Sequence, residues 1–334
     1  MRLFLKLLLP VLLIIVGVAI FNEYQRFLTT PINIEPTNTS FNIQSGENLQ
    51  QVSRQLAEQG ITPFPASYLY WYARYKDSAH KIKAGEYRLT STLTLPDVLA
   101  LFIKGDVVQH SFTIIEGMTS QQVLAAIASD NRFIQTIETT DLKTVMQMLD
   151  GNGRHGEGEF APETYYFSAG TTDKAILMRA FQLMQKTLAE AWQNKAEKLL
   201  YKTPYEALIM ASIIEKESGI AEERPEIAGV FVRRLRMGMR LQADPTVIYG
   251  MGEKYKGNIR RKDLTTDTVY NTYTRYGLPP SPIALPSKAA IQAALNPSEG
   301  TSLYFVATGH EGRHVFSDTL VQHNKAVRQY QLKK

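Results

Sequence analysis

The 334-residue chain contains no cysteine. That single absence excludes disulfide frameworks, Cys-ligated zinc, iron–sulfur clusters and a Cys nucleophile, and it suits an oxidising compartment, where a stray thiol is a liability. An excess of one charge is lacking too. Against 37 Lys and Arg stand 32 Asp and Glu, leaving a net charge of +5, too mild and too evenly spread for a nucleic-acid surface. No internal repeat or low-complexity tract is present. After Phe21 no apolar run approaches the length of a membrane span without charges. What is present, 44% apolar and 21% charged residues, is ordinary globular composition, neither disordered nor collagen-like. The length suits about two domains.

The N-terminus opens Met1-Arg-Leu-Phe-Leu-Lys6 and continues apolar from Leu7 to Phe21. Counted from Leu3, with Lys6 snorkelling to the interface, the stretch has 19 residues and spans about 28 Å as a helix, close to the hydrocarbon thickness of a bilayer. Arg2 and Lys6 precede it, so the positive-inside rule puts the N-terminus in the cytoplasm and the remainder outside. A cleaved signal peptide is the competing reading, because Gly17-Val18-Ala19 offers small residues at a cleavage spacing; a core helix is a third.

Residues 22–40, with Pro31 and Pro36, read as a linker. From 41 to 150 short strand and helix patterns alternate. Phe41–Gln44 is strand-like, Leu49, Val52 and Leu56 recur at helical spacing, an aromatic helix surrounds Trp71, and Thr94 and Thr119 stand where helix caps belong. The Gly-rich stretch from Gly151 to Gly158 marks a boundary. Beyond it, residues 173–192, 203–218 and 224–237 carry helical periodicity, and a turn-rich last third ends in a hairpin (303–307 with 313–316) and a helix. The expected fold class is α+β. It comprises a membrane anchor (1–21), a linker (22–40), a small α+β region (41–150) and a helix-rich α+β domain (151–334).

The helix 203–218 carries the most chemistry. Thr203-Pro204 and Glu206 supply a cap, a proline at the first helical position and an acceptor. At 100° per residue its apolar side chains cover an arc of about 260°, so the helix is central to its domain. Two acids interrupt its end. Glu217 falls about 50° from the middle of that arc, and Glu215 about 110° away, near the rim. A carboxylate facing a core must be paired or protonated, and a raised pKa is what a general acid needs near neutral pH. Gly219 ends the helix, so Glu217 can open into a cleft. The alternative is structural, with Glu217 bridging to Arg224 or Arg233.

Other signals are weaker. His310-Glu-Gly-Arg-His314 matches a zinc-protease pattern, but it follows a strand and contains Gly312, whereas that chemistry needs both histidines on one helix face. Arg233-Arg234-Leu-Arg236 reads as a solvated helix face or, alternatively, as a run that meets anionic substrate or lipid headgroups. The aromatics Tyr68, Tyr70, Trp71, Tyr72 and Tyr75 divide between core and surface, with a sugar-stacking strip as the functional version. Thr265–Tyr276 suits either a carbohydrate-binding loop or an ordinary one.

Several stretches occur together and in order: Lys83-Ala-Gly-Glu-Tyr-Arg88, Ile115-Glu-Gly-Met-Thr119, Glu157-Gly-Glu-Phe-Ala-Pro-Glu-Thr-Tyr165, Ala211-Ser-Ile-Ile-Glu-Lys-Glu-Ser218, Leu241-Gln-Ala-Asp-Pro-Thr-Val-Ile-Tyr-Gly250, Tyr270-Asn-Thr-Tyr273 and Gly277-Leu-Pro-Pro-Ser-Pro-Ile283. Through them the chain resembles the membrane-anchored endolytic murein transglycosylases of the MltG (YceG-like) family over nearly its whole length after the linker. Residues 41–60 resemble the opening of a lysin-motif (LysM) module, which implies binding of peptidoglycan glycan. Two departures stand out. The family commonly has an aromatic residue or Leu where Ala161 stands, and Asp where Glu163 stands.

The resemblance implies that Glu217 is the catalytic residue and that the β-1,4 bond between N-acetylmuramic acid and N-acetylglucosamine is cut without water. Glu217 would protonate the leaving oxygen while the substrate N-acetyl group stabilises an oxocarbenium-like state. It would then take the proton of the muramyl 6-hydroxyl, which attacks to give a 1,6-anhydro end, so no second acid is required. Ser218, Gln242, Asp244, Asn271, Tyr273 and Tyr304 are the candidate glycan contacts. No metal, cofactor or nucleic acid is implied. The implied setting is the bacterial inner membrane, with a single-pass anchor, a cytoplasmic N-terminus and a periplasmic catalytic domain, limiting strand length beside cell-wall synthases. A reading from another class is a tethered scaffold that binds peptidoglycan without cutting it.

Overall fold

The computed structural model describes residues 2–35, 39–150, 154–310 and 312–332. Pro36, the Gly151–Gly153 part of the expected boundary and Glu311 lie outside the described residues, as do the side chains of Arg2 and Lys6. The chain is mixed α+β, with helices predominating over short strands. Its contacts divide it into two compact units, Met1–His110 with Tyr166–Gly170, and Ser111–Tyr165 with Thr171–Lys334.

The first unit begins with α1 (Arg2–Thr29), whose apolar residues 11–16, 18, 20 and 21 are all exposed. The helix does not stop at Phe21. It continues through eight residues of the stretch expected as linker, because Phe27 is an apolar anchor that buries into the unit's core. There follow β1 (Ser40–Ile43), α2 (Leu49–Glu58), α3 (Ala66–Tyr75), β2 (Gly85–Arg88) and α4 (Leu95–Lys104). Asn48 and Thr94 close capping boxes at the starts of α2 and α4. β1 and β2 pair antiparallel with Phe41 opposite Tyr87, and both rings pack on Phe102 of α4. Gly85 is obligatory at its position: φ is +143°, and a Cβ would lie 2.4 Å from Val107 Cγ1.

β3 (His110–Thr113) and β4 (Thr164–Phe167) form the next two-stranded sheet; between them in sequence come α5 (Ser120–Ala128) and α6 (Leu142–Asp150). The second unit then adds α7 (Asp173–Gln193), α8 (Pro204–Glu217), α9 (Arg224–Arg236), α10 (Asp244–Met251), the short α11 (Arg261–Thr265), α12 (Lys288–Leu295), the antiparallel hairpin β5 (Tyr304–Ala307) with β6 (His314–Ser317), and α13 (Leu320–Tyr330). Residues 111–150 belong to this second unit. α6 packs on α7, and the Ser120 amide donates to the buried Glu157 carboxylate at 2.8 Å, contacts that the Gly-rich composition near 151 does not report.

α8 is the core of the second unit. Every residue from Ala207 to Ile214 is buried. Even the polar Ser212 is fully buried; its hydroxyl donates to the Ile209 carbonyl and accepts from the Ile283 amide. The helix most closely packed on α8 is α12, where Ala290, Ala293 and Ala294 allow close approach. The turn-rich reading of the last third passes over both α12 and α10. They are short, and the proline at the start of α10 reads as a break although it occupies a first-turn position that tolerates it.

Candidate active site

The two acids at the end of α8 have different surroundings. Glu215 is locked in place: its Oε1 accepts from Arg224 at 2.9 Å, and its Oε2 accepts from the amide and the hydroxyl of Ser287 at 2.8 and 2.5 Å. Arg233 is engaged elsewhere, donating to the carbonyls of Ser298 and Ser302. Both arginines that could have neutralised Glu217 are thus occupied. Among the described residues Glu217 has no hydrogen bond or ion pair. Burial pushes its carboxyl up to about 8, the charge of Asp244 adds to the rise, and Arg234 opposes it.

Glu217 opens into a cleft of about 480 Å³. Phe231 and Arg234 of α9 form one wall, with Leu241, Gln242 and Asp244 leading into α10 beside them. Tyr273 stands on the following loop, and the far wall comes from β5, His314 of β6 and α13. Two distant segments meet here because a buried threonine pair joins them. Thr272 Oγ1 accepts from the Ala243 amide at 3.0 Å and lies 2.8 Å from Thr246 Oγ1, while the Gln242 amide donates to the Thr272 carbonyl. This places the Tyr273 hydroxyl 2.5 Å from Asp244 Oδ1, to which it donates. Gln242 has φ +53°, a strained conformation for a non-glycine residue and one that recurs at functional sites.

The profile of the YceG-like family matches residues 41–329. The chain belongs to the YceG-like family. An endolytic murein transglycosylase of Bacillus subtilis is 31% identical over 92% of the chain and 89% of its own length. One from Streptococcus pneumoniae is 28% identical over 92% of the chain and 61% of its own length. A crystal structure of a YceG-like protein from Listeria monocytogenes superposes with a TM-score of 0.54 at 28% identity, over 86% of this chain and 98% of that one.

Of the residues singled out in this YceG-like sequence, Glu217, Gln242, Asp244, Tyr273 and Tyr304 converge on the cleft. Ser218 and Asn271 do not line it. Ser218 terminates α8, accepting from the Ile220 amide at 3.0 Å. Asn271, 1% exposed, donates to the carbonyls of Asp263, Leu264 and Thr266 and accepts from the Tyr273 amide. It shapes the loop and presents no face to a ligand there. Glu163 is exposed and bonds the adjacent Thr164 amide. A second carboxylate nevertheless shares the cleft, since Asp244 stands near enough to Glu217 to raise it.

Arg234, His314 and His323 also line the cleft, although none was among the candidate glycan contacts. Arg234 is only 7% exposed, not solvated. It donates to the carbonyls of Leu303 and Leu241 and lies 5.2 Å from the centroid of Tyr304. Helical spacing held the clue, because Phe231 and Val230, three and four residues back, are both apolar and are buried on the same face. His314, the first residue of β6, donates its backbone amide to Glu223 and holds Nδ1 2.8 Å from the same carboxylate. Burial pushes the Glu223 carboxyl upward, but these bonds outweigh it and hold it below the ordinary range. His310 lies in the connecting turn, so the two histidines of the zinc-like pattern share no helix face. His323 of α13 stacks on Tyr304 at 5.2 Å, and burial together with Arg234 holds its pKa down.

The other family motifs form the support. Glu157, 2% exposed, accepts from Ser120, Gly158 and the Tyr249 hydroxyl, and burial pushes its carboxyl upward against those bonds. Gly158, at φ +80°, has Pro282 where a Cβ would be, at 2.6 Å. That contact ties the Glu-Gly-Glu stretch to the Pro-rich one.

Proposed function

We propose that this protein is a lytic transglycosylase that cuts peptidoglycan glycan strands, with Glu217 as its catalytic acid and base. The observation that carries this reading is an unpaired carboxyl, held near pKa 8, at the end of a buried helix and open to a cleft. A carboxyl of that kind is protonated at neutral pH and can donate to a leaving oxygen. The relatives, named endolytic murein transglycosylases, support glycan strands as the substrate. Tyr273 and Tyr304 bring hydroxyls to the cleft for a sugar, and Gln242 offers an amide.

In this mechanism Glu217 gives its proton to the glycosidic oxygen between N-acetylmuramic acid and N-acetylglucosamine. Positive charge develops at the muramyl C1, where the substrate N-acetyl group and the Asp244 carboxylate, oriented by Tyr273, can stabilise it. Glu217, now a carboxylate, takes the proton of the muramyl 6-hydroxyl as that oxygen bonds to C1. The product is a 1,6-anhydro end and no water is consumed. Arg234 lies close enough to favour the anionic Glu217 formed between the two steps.

The same reading makes α1 a single-pass anchor with its N-terminus in the cytoplasm and both compact units outside, where new strands would be terminated beside synthases. The β1–α2–α3–β2 segment would be a lysin-motif module. Two carboxylates in one cleft are also what a hydrolase uses, and the product separates the two reactions. Mass spectrometry of sacculi digested by the full-length protein should reveal 1,6-anhydro-muropeptides, lighter than hydrolysed ones by one water. Glu217→Gln should bind sacculi and reduce their release by about 10²–10⁴-fold. Reducing ends would establish a hydrolase, and undiminished release by the variant would remove Glu217 from the mechanism. Binding without new ends would leave a scaffold.

A further inference from the structure

The aromatic helix of the first unit is unevenly buried. Phe27, near the end of α1, is enclosed by Phe64, Tyr68 and Tyr72, with ring centroids at 5.8, 6.2 and 5.2 Å. Trp71 and Tyr75 on the same helix are 65% and 81% exposed. Placed at 100° per residue, Trp71 and Tyr75 adjoin Tyr68 and Tyr72, on the flank of α3 that grips α1. Tyr70 meets the Trp71 ring edge-on at 5.4 Å. Residues 66–76 contain no acid, and Arg74 and Lys76 are exposed among the rings, with Lys76 Nζ 5.9 Å from the centroids of both Tyr72 and Tyr75. Arg26 is exposed on α1, where it pairs with Glu23 at 2.9 Å and lies 5.9 Å from the centroid of Phe64.

The height of this face follows from α1, which is helical throughout. Phe27 lies six residues past Phe21, the last residue of the apolar run, or about 9 Å at 1.5 Å per residue. The headgroup layer on each side of a bilayer is about 5–8 Å thick. The part of α3 that holds Phe27 is therefore within one side chain's length of the headgroups. Exposed Trp and Tyr accompanied by Arg and Lys is the composition that partitions to the membrane–water interface, and Asp77, just past the end of α3, is the carboxylate that borders it.

We propose that the Trp71–Tyr75 flank of α3 docks on the outer headgroup layer of the bilayer that α1 crosses, fixing the first unit against the membrane surface. The proposal rests on α1 being a retained span. A glycan strip fits this face less well, because Tyr68 and Tyr72, which would extend it, are committed to Phe27 and Phe64.

The chain has two tryptophans, Trp71 and Trp192, so Trp192→Phe leaves a single reporter. In the full-length variant in phosphatidylethanolamine–phosphatidylglycerol vesicles, Trp71 emission should be quenched by lipids brominated high in the acyl chain. Quenching by lipids brominated at the chain end should be weaker. Emission that stays fully open to aqueous iodide and indifferent to both lipids would overturn the docking. A change with a soluble chitooligosaccharide but not with bromolipid would assign the face to glycan and overturn it equally. Val16→Trp in a Trp71→Phe, Trp192→Phe background tests the span itself. It should respond most to the deep bromines, and a failure there removes the anchor and the docking together. A quenched Val16→Trp beside an unquenched Trp71 removes the docking alone.

Discussion

At the residue scale, two carboxyls two positions apart on α8 differ in their surroundings, Glu215 paired and Glu217 not. A carboxyl whose pKa is raised on folding keeps a proton that the unfolded chain has released. Native stability therefore falls as pH rises from the unfolded value to the folded one. For Glu217 that window runs from 4.5 to about 8, and the cost above it is on the order of 5 kcal/mol at most. Glu217→Gln removes that cost. The variant should match the parent in stability at acid pH and exceed it increasingly toward pH 8, as read by thermal or urea unfolding across that range. A gap independent of pH would mean that Glu217 is ionised throughout. For the same reason the activity of the parent should decline as pH rises through about 8, where the acid form disappears.

At the scale of elements, Glu215 acts as a clamp. Its carboxylate joins the end of α8 to Arg224 at the start of α9 and to Ser287, which caps α12. Glu215→Ala would leave the Arg224 guanidinium buried without its counter-charge, which costs about 3–5 kcal/mol. A large fall in the unfolding midpoint is expected for this variant, and not for Glu217→Gln. Equal effects of the two would contradict the division of roles. Most of the helices that build the site can be read in the sequence, since their caps and periodicities are local; α8 begins at Pro204 and ends at Glu217, as its cap and Gly219 require. α10 and α12 could not be read in the same way. Neither carries a long enough pattern, and α12 is defined by its packing on α8.

At the scale of the whole molecule, the first of two compact units opens with an exposed apolar helix. From Pro10 to Thr29 it meets the length and hydropathy of a span, and among its described side chains the apolar residues from Val11 to Phe21 are exposed whereas Phe27 is buried. If α1 is retained in the membrane, protease added outside spheroplasts should digest both units and leave a short N-terminal, membrane-bound stub. Release of an intact soluble protein without protease would instead establish cleavage near Ala19. The unit boundary was less legible. A Gly-rich run suggests a break after 150, whereas α6 packs on α7 across that point in sequence.

The sequence by itself determined the apolar N-terminal helix, the α+β alternation and the central helix, because each rests on periodicity or capping within one helix length, and it turned Glu217 toward the apolar side of that helix. It also determined the family, through motifs spread along the chain. Only the tertiary structure decided that Arg224 serves Glu215 and leaves Glu217 unpaired. It alone placed Arg234, His314 and His323 along the cleft and left Ser218 and Asn271 off its lining. The physical reason is that an ion pair or a cleft wall joins side chains from elements far apart in sequence, such as Tyr304 over Arg234. No pattern within either segment records which partner the other will find.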